Sequence, residues 1–483
     1  MVLAELPFKV GDEVTKAELL EAERVLRNFN VLKRARVMFE EDSGNLFVYT
    51  QDNLSLLSYW FIESQDEYYK FFLSVNESNF LGRLYGLGFD YQLENFIHSY
   101  KLRLSQPRLA GLPLSVSVSS GFSTFDQNIL SNSNSFSINK PFRFLSDRHS
   151  YGINYSESKG NYFVMKGADV GTYEDPENGN LFSSSYYQES RVLDFEYIYG
   201  YGLYNRVEIS SGLGFEERKN FFIDKESALK GQAIKNESIS EAADSLLSEK
   251  LEAYYYSAGL KLLSRDYMVR KNFRRYLLLE DIEFGSFIGF KWQQAFPVIS
   301  GNTEYYKPMM SLQHVVAKPS WQLELASVVG AQYFKTGSQP GWQNETRVVS
   351  GRIFLFQESG VFASRIKAAT AFNLSEGARL DFFKGFVRGF NFENTVVNNG
   401  LVSSFEWRTL PYTTNYLAIG GVVFSDIAYL TGESADTFAS FGLGLRAGFY
   451  RYDKNLFRID AAMPLTTNSA SNFNVSVGLS HAF

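Results

Sequence analysis

The chain ends in the sequence FNVSVGLSHAF, residues 473–483. Every second side chain here falls on one face, and all of them except His481 are apolar: Phe473, Val475, Val477, Leu479 and Phe483. A period of two indicates a β-strand with one apolar face. An aromatic side chain at the end of such a strand suits the boundary between lipid and water. The ending therefore predicts a strand that faces lipid on one side.

The same alternation extends over most of the chain, from about Tyr68 to Phe483. Typical segments are LYGLGFDYQ (84–92), VLDFEYIYG (192–200) and GSFIGFKW (285–292). Their lengths suit the roughly 9–11 residues with which a tilted strand crosses the hydrocarbon layer. Phe, Leu, Val and Tyr on one face and polar side chains on the other are typical of a membrane barrel with a wet interior. A soluble β-sandwich also alternates, but so long a pattern with only 11 prolines favours the barrel.

Composition excludes several classes of protein. The 483 residues include no cysteine, which excludes disulfides, thiolate chemistry and Cys-based zinc sites. A net charge of -6 gives no basic patch for nucleic acid. The mean hydropathy is -0.19, and no run of about 18 apolar residues occurs, which excludes a bundle of membrane helices.

The first 55 residues differ from the rest and predict a small α/β module. Thr15 and Glu18 form a capping box, followed by an apolar face at helical spacing through about Asn28. Alternation over 35–39, a turn at 42–45 and a second arm at 46–50 predict a hairpin. No secretory signal heads the chain, so we expect a mature or trimmed chain if the barrel lies in the outer membrane.

Two segments interrupt the strand pattern and predict long loops. Residues 216–252 are densely charged and helix-permissive, which favours a loop outside the barrel, where extracellular loops are longest. Residues 374–400 connect two clear strands, and a shorter loop covers about 166–182. The alternating segments around these loops predict sixteen to nineteen strands.

Motifs of enzymes are weak in this chain. There is no H-E-x-x-H sequence and no histidine pair at metal-ligand spacing among the four histidines, His98, His149, His314 and His481. The segment 121–125 lacks the second glycine of a nucleophile elbow. Gly442 and Gly444 sit in a strand pattern, which favours close approach of a neighbouring backbone over a dinucleotide loop. We predict no catalytic, cofactor or metal site, although a pair of carboxylates on the strands stays open.

One loop motif is more specific than the enzyme motifs. Val387-Arg388-Gly389-Phe390 resembles the tip of the sixth loop in the BamA/TamA superfamily of outer-membrane assembly and translocation barrels, also described as bacterial surface antigen-type barrels. Further stretches resemble the family in the same order along the chain: Phe424-Ser-Asp426-Ile-Ala428, where the family has glycine in place of Ala428, the penultimate strand 456–460 with Pro464-Leu465, and the first barrel hairpin at 77–82. Residues 6–12 with the following helix and hairpin resemble the latter part of a POTRA repeat, and Thr50-Gln-Asp52 resembles its junction with the barrel.

The resemblance implies a 16-stranded antiparallel transmembrane β-barrel over 56–483 and a partial POTRA-like periplasmic module over 1–55. It implies that Arg388 pairs with Asp426 on the barrel wall near Phe424, that Gly389 permits the tight tip, and that Phe390 packs on the inner wall. A charged pair in a water-filled lumen would stabilise the loop only modestly.

The resemblance also implies a seam between the first and last strands. We expect it between the strands near 68–76 and 472–483, where Gly478 weakens the last strand and the final Phe483 resembles the signal for barrel insertion.

The function implied is assembly or insertion of outer-membrane proteins through a lateral gate, without a cofactor and without enzymatic activity. The partners would be unfolded outer-membrane or secreted proteins, the lipid bilayer, and accessory lipoproteins or periplasmic factors, but no nucleic acid. A secretion pore for a soluble partner protein is the alternative within this architecture. A diffusion porin and a barrel hydrolase are alternatives outside it.

Overall fold

A computed structural model of the chain describes residues 5–29, 31–40, 43–65, 68–163, 165–166, 169–170, 172–175, 177, 179–183, 185–236, 239, 251–274, 276, 279–296, 303–335, 341–373, 387–390, 397–432, 435–449, 456–466, 473–479 and 481. Within this part of the chain, no helix is long and apolar enough to cross a bilayer.

The N-terminal residues form a helix packed on a hairpin. Helix α1 spans Lys16–Arg27, and the predicted capping box of Thr15 and Glu18 is confirmed, with both side chains bonded to the partner's backbone N–H. Strands β1 (Leu32–Glu40) and β2 (Asn45–Asp52) pair antiparallel. The buried face of α1 packs on Ala35 and Val37 of the hairpin, as the alternation in this segment predicts.

Strands continue from Leu56 to the C-terminal region. The first group is β3 (Leu56–Gln65), β4 (Tyr68–Phe80), β5 (Tyr85–Glu94), β6 (Ile97–Gln106), β7 (Ser115–Phe125), β8 (Asn128–Lys140), β9 (His149–Phe163), and the short β10 (Met165–Lys166), β11 (Asp169–Val170), β12 (Thr172–Glu174) and β13 (Leu181–Ser183). The second group is β14 (Ser185–Gly202), β15 (Asn205–Phe222), β16 (Leu251–Lys271), β17 (Leu279–Phe296), β18 (Tyr305–Lys318), β19 (Trp321–Phe334), β20 (Gly341–Gln357) and β21 (Gly360–Phe372). The third group is β22 (Val397–Thr409), the two-residue β23 (Tyr412–Thr413), β24 (Leu417–Gly432), β25 (Ala435–Phe449), β26 (Phe457–Pro464) and β27 (Asn474–Leu479). A one-turn helix α2 (Lys225–Leu229) follows β15, and a 3₁₀ turn covers Leu109–Gly111.

The long strands close into one antiparallel barrel. Each pairs with its neighbour along the chain, β9 pairs with β14, β22 pairs with β24, and β27 returns to β3. Apolar side chains alternate outward along the strands, as on β24, where Val423 and Ile427 are exposed while Phe424 and Asp426 are buried. An exposed apolar band around a closed barrel is the form that crosses an outer membrane.

The expectation of sixteen strands is not confirmed. Among the described residues the closed ladder contains twenty long strands, namely β3–β9, β14–β22 and β24–β27. The alternation does not reveal β3, because both of its faces are apolar: Trp60 and Ile62 are exposed outside, while Tyr59 and Phe61 lie 5.7 and 5.2 Å from the ring of Phe72. A strand that stacks aromatic side chains on its inner face loses the alternation that reveals it.

Other boundaries also differ from those expected. The seam joins β27 to β3, because the strand at 68–80 is paired on both sides, with β3 and with β5. The loop expected at 216–252 is shorter, since β15 continues to Phe222 on its ladder with β14, and β16 begins at Leu251. The loop expected at 374–400 ends where β22 begins at Val397, and its described part is 387–390.

Candidate functional site in the barrel lumen

The tip of the loop before β22 lies inside the barrel. Val387 is buried in an apolar cluster with Val402, Ala428 and Phe438 from β22, β24 and β25. The ring of Phe390 meets that of Phe438 edge-on, with 5.3 Å between centroids. Two apolar side chains on either side of Arg388 and Gly389 thus hold the tip against the inner wall.

Arg388 makes a bidentate contact with Asp426 of β24. Its Nε donates to Oδ2 at 2.7 Å and its Nη2 donates to Oδ1 at 2.8 Å. The backbone N–H of Arg388 also donates to Oδ2, at 3.1 Å. The guanidinium carbon lies 3.5 Å above the ring centre of Phe424, which is cation–π geometry. The planar guanidinium is fixed from its edge by the carboxylate and from its face by the ring.

The site contains two further acids: Glu406, which the sequence did not single out, and Asp460, the last residue of the 456–460 stretch that resembles the family. Arg388 Nη1 donates to Glu406 of β22 at 2.6 Å and lies 3.6 Å from Asp460 of β26. Glu406 also accepts from Arg408, at 2.7 Å. The signal for Glu406 was present in the sequence, because the buried residues 402, 404, 406 and 408 alternate with the exposed Leu401 and Phe405.

Asp460 links the site to the last strands of the barrel. Its Oδ1 accepts from Arg446 of β25 at 2.6 Å, and its Oδ2 lies 3.6 Å from Arg458. A Cβ on Gly444 would lie 2.1 Å from Asp460 Oδ1, and one on Gly442 would lie 2.3 Å from the Phe424 ring. These two glycines therefore make room for the side chains of the charge cluster, in addition to the backbone approach that the strand pattern suggested.

The loop tip also contacts the last strand. Gly389 adopts φ +93°, a left-handed conformation that glycine accepts without steric cost. Its carbonyl oxygen accepts a hydrogen bond from Asn474, the first residue of β27, at 2.7 Å. Gly478 lies further along β27 in register with Arg458, and Phe483 lies outside the described residues.

Burial changes the energetics expected for this pair. The side chain of Arg388 is 7% exposed and that of Asp426 is 0% exposed, so the pair is not the solvated one that a water-filled lumen suggested. Removing one partner of a buried ion pair costs about 3–5 kcal/mol, because the other charge is left buried without compensation. The arrangement thus holds the loop in one position far more strongly than a surface pair would.

The charge cluster around Arg388 holds the loop tip in one position. Among the residues that the structure describes, no group of three or more His, Cys, Asp or Glu side chains is arranged to hold a metal ion. The acids of the cluster are each bonded to arginine, which keeps them as acceptors in fixed geometry.

Comparison with known proteins places the fold. No protein-family model matches the sequence, and no curated protein matches it significantly. The structure resembles CdiB from Escherichia coli, with a TM-score of 0.50 and 11% identity over 99% of this chain and 73% of that one. It also matches CdiB from Acinetobacter baumannii, with a TM-score of 0.41 and 12% identity over 99% of this chain and 70% of that one. A third match is BamA from Haemophilus ducreyi lacking POTRA domains 1–3, with a TM-score of 0.37 and 11% identity over 99% and 81%. The chain thus has the fold of a large β-barrel, which it shares with CdiB from Escherichia coli.

Proposed function

We propose that this chain is a BamA/TamA superfamily protein that assembles or inserts proteins in the outer membrane by opening its barrel between β3 and β27. The observation that carries the proposal is the weakness of this seam. A single pair of residues, Glu63 and Ser476, is in register across it among the described residues. By contrast, β3 is in register with β4 over its full length, Leu56–Gln65.

An open seam would present a template for an incoming strand. Strand edges carry unpaired N–H and C=O groups that pair readily with another chain. Addition of a strand to such an edge is a general mode of recognition of extended peptides. The client's own burial of apolar surface would supply the driving force, so no cofactor, nucleotide or catalytic group is needed.

The lumenal loop would set the position of the seam. Asn474 of β27 is bonded to Gly389, and Arg388 beside it is fixed by Asp426. The loop tip therefore ties the last strand to the wall formed by β22 and β24. In this proposal the tie keeps β27 aligned while the seam opens and closes.

The N-terminal module would act in the periplasm. The chain enters the barrel at β3 and leaves it after β27, so the module and the end of β27 lie at the same end of the barrel. We assign the helix and hairpin to part of a POTRA-like unit, whose partners would be unfolded client proteins and accessory lipoproteins or periplasmic factors.

A disulfide across the seam tests this function. The chain contains no cysteine, so Glu63→Cys with Ser476→Cys introduces its only thiols at facing backbone positions. The assay is insertion of a urea-unfolded eight-stranded barrel protein into liposomes that hold the purified protein. We expect insertion to be lost in the oxidised variant and restored by reductant.

A second disulfide provides the matched control. Ser117→Cys with Ser137→Cys bridges β7 and β8, where the two serine hydroxyl oxygens lie 2.7 Å apart in a ladder that runs from Ser115 to Phe125. This bridge should leave insertion unchanged. Full insertion activity in a verified, fully oxidised seam variant would overturn the proposal.

A secretion pore is the second candidate, and the lining of one half of the lumen favours it. The inner faces of β7 and β8 carry serines that bond in facing pairs, Ser117 with Ser137, Ser119 with Ser135 and Ser123 with Ser131. Some of them line a cavity of about 520 Å³ beside Gly88 and Arg103. A wall of small hydroxyls suits passage of an extended, hydrophilic chain. If the oxidised seam variant still passes an unfolded soluble polypeptide across the liposome membrane while inserting nothing, this candidate is favoured.

A further inference from the structure

One hairpin of the barrel leaves the wall and enters the lumen. Strand β15 is in register with β16 only as far as Ser264, and β18 is in register with β17 only from Gly285 onward. Beyond these points β16 and β17 stay paired with each other alone. We call this projecting part the strap: Arg265–Lys271, Leu279–Phe284, and Phe273, Arg274 and Tyr276 of the connection.

Gly285 creates the bend at which the strap departs. Its φ is +125°, and a Cβ there would lie 2.0 Å from the carbonyl oxygen of Ser264 on the paired strand. Strand β18 continues past this point to Lys318 without β17 beside it. The two strands therefore separate at a position that only glycine can occupy.

One face of the strap packs on the inner wall. Phe273 and Ile282 are buried in a cluster with Ala317, Phe354 and Ala363 of β18, β20 and β21. The guanidinium of Arg270 lies 3.6 Å above the ring centre of Phe356 and donates to the carbonyl oxygen of Lys318 at 2.8 Å. These contacts lie on β18, β20 and β21, among the strands that follow β17 in the wall.

The tip of the strap reaches the side of the lumen that holds Arg388. Tyr276 is buried in a cluster with Ala418 and Leu456. Its ring fills space above two glycines: a Cβ on Gly420 of β24 would lie 2.3 Å from its hydroxyl, and one on Gly448 of β25 would lie 2.9 Å from its Cβ. Gly420 and Gly448, on two adjacent strands, thus leave room for the side chain of Tyr276, and we call this position its seat.

The opposite face of the strap is held by helix α1. Arg27 donates two hydrogen bonds to the carboxylate of Asp281, at 2.9 and 2.7 Å. The guanidinium of Arg24 lies 4.9 Å above the ring centre of Tyr267. Both ion-paired side chains retain some solvent contact, with 14% and 13% of their areas exposed. A pair of this kind can be released by a competing charge without leaving a fully buried ion.

The N-terminal module is fixed to the opposite wall as well. Glu5 is buried and accepts from Arg108 and Arg143, which lie in the connections β6–β7 and β8–β9. Glu21 of α1 accepts from the backbone N–H of Leu145 at 3.0 Å. Helix α1 and the strap together therefore span the lumen from β6–β9 to β24 and β25.

We propose that the strap and α1 form an autoinhibitory plug at the end of the barrel where the N-terminal module lies, and that the Arg27–Asp281 pair is its latch. A displacement of the module breaks the latch, frees the strap and lets Tyr276 leave its seat. This device controls entry to the lumen, is separate from the seam, and acts whether the protein inserts or secretes its clients.

Ion conductance of the purified protein in planar bilayers tests the latch, since it needs no client and no opening of the seam. Asp281→Asn and Arg27→Gln should each raise the open-channel probability on the order of tenfold or more, because each removes a charge-assisted bidentate contact. Arg27→Asp combined with Asp281→Arg and Glu23→Gln should return it toward the wild-type value, because the exchanged charges can pair again without repulsion from the Glu23 carboxylate, which contacts Arg27 in the wild type. Wild-type conductance in both single variants would overturn the proposal.

A disulfide at the tip tests the movement of the strap. Tyr276→Cys with Gly448→Cys places two Cβ atoms close enough to bridge after a small shift. We expect high conductance in the reduced form, because Tyr276 is lost from its seat, and low conductance after oxidation. Tyr276→Ser with Gly448→Ser is the matched control and should stay open in oxidant.

Correct folding is verified in every variant by a gel-mobility difference between unheated and boiled samples. High conductance in the fully oxidised, folded cysteine variant would contradict the plug. So would failure of the charge exchange to restore closure when both proteins are folded.

Discussion

Arg388 connects three strands of the barrel through its one guanidinium. It contacts carboxylates on β22 and β24 directly, and Asp460 on β26 lies within ion-pair distance. Its neighbours in the chain tie the loop to an apolar cluster and to β27. A single side chain thereby sets the position of a loop relative to the strand beside the seam.

We expect Arg388→Ala to release the loop tip while leaving the barrel folded. Loss of one partner from this buried pair removes about 3–5 kcal/mol from loop docking. Chymotrypsin cleavage after Phe390 should increase, and insertion activity should fall. Arg191→Ala is a matched control, because Arg191 is an arginine with three acidic partners but is 42% exposed. It should change neither measurement.

Asp426→Asn should give a defect similar to that of Arg388→Ala. The double variant should be little worse than either single one, because one interaction is lost in all three proteins. Rates of cleavage and of insertion, measured for the wild type, both single variants and the double variant, test this expectation. Defects that simply add would show that the two residues act independently.

Thr15 and Glu18 make the start of α1 sensitive to acid. A hydrogen bond from the Thr15 backbone N–H to the Glu18 carboxylate lowers the pKa of Glu18 below its ordinary value of 4.5. Because the pKa is lowered in the folded state, the stabilisation is complete above the ordinary value and is lost as pH falls through the folded value. A fluorophore on Lys16→Cys, at the first residue of the helix, should report loosening of the helix start below about pH 4.5.

The matched control for this pH dependence is Glu18→Gln. Glutamine can keep a hydrogen bond to Thr15 but does not titrate, so this variant should lack the component of the transition that belongs to Glu18. An identical pH profile in the two proteins would mean that other carboxylates control the helix start.

At the level of single residues, the sequence predicted the partners of side chains in local or recognised motifs, but not those that meet across the barrel. Thr15 and Glu18 lie three residues apart in one local motif, and the resemblance of two motifs suggested Arg388 and Asp426. Glu406, Arg446 and Asp460 could be assigned to the inner face by alternation, but not to each other. Which inward side chains meet depends on strand order and register, and these are non-local.

Among the elements, the β16–β17 hairpin lies partly in the barrel wall and partly, as the strap, in the lumen. Its β16 and β17 portions begin as ordinary barrel strands with exposed apolar side chains such as Leu262 and Ile288. In the strap, one face packs on the wall and α1 contacts the other through Arg27 and Asp281, while Val269 and Leu279 stay exposed. The alternation of the GSFIGFKW segment predicts the strand correctly but cannot show where its hairpin leaves the wall, because a paired hairpin looks the same in either place.

We expect Gly285→Ala to displace the strap. Alanine at φ +125° is strained by about 1–3 kcal/mol, and its Cβ meets the backbone of Ser264. Trypsin cleavage after Arg270 or Lys271 should accelerate in liposome-held protein. In Gly289→Ala, on the same strand, the added Cβ first meets the side chain of Ser311, and cleavage should stay at the wild-type rate. Equal cleavage of both variants would place the bend elsewhere.

Over the whole molecule, the lumen has two unlike halves. The side near β20–β26 is filled by the loop tip, the charge cluster and the strap. The side near β6–β9 is lined by paired serines and borders cavities of about 640 and 520 Å³. The sequence predicted a barrel from period-two alternation, but the number of strands depends on where each ladder ends and was underestimated.

A closed barrel should resist denaturation as a unit. Among the described residues, every long strand except those at the seam has a paired neighbour on each side within the barrel wall, which the strap alone leaves. The wall therefore has no other edge at which unfolding can begin. We expect unheated protein in detergent to migrate faster on a gel than boiled protein. Identical migration before and after boiling would contradict the barrel.

Hydrogen–deuterium exchange of the membrane-held protein, read by mass spectrometry, tests the weak seam most directly. In each strand about half of the amides point to one neighbour and half to the other. The seam-facing amides of β3 and β27 should exchange on the order of tenfold or more faster than the amides of β7 and β24, because local opening there has a lower free energy. Equal protection of all four strands would show that the barrel does not open between β3 and β27, and would contradict lateral gating.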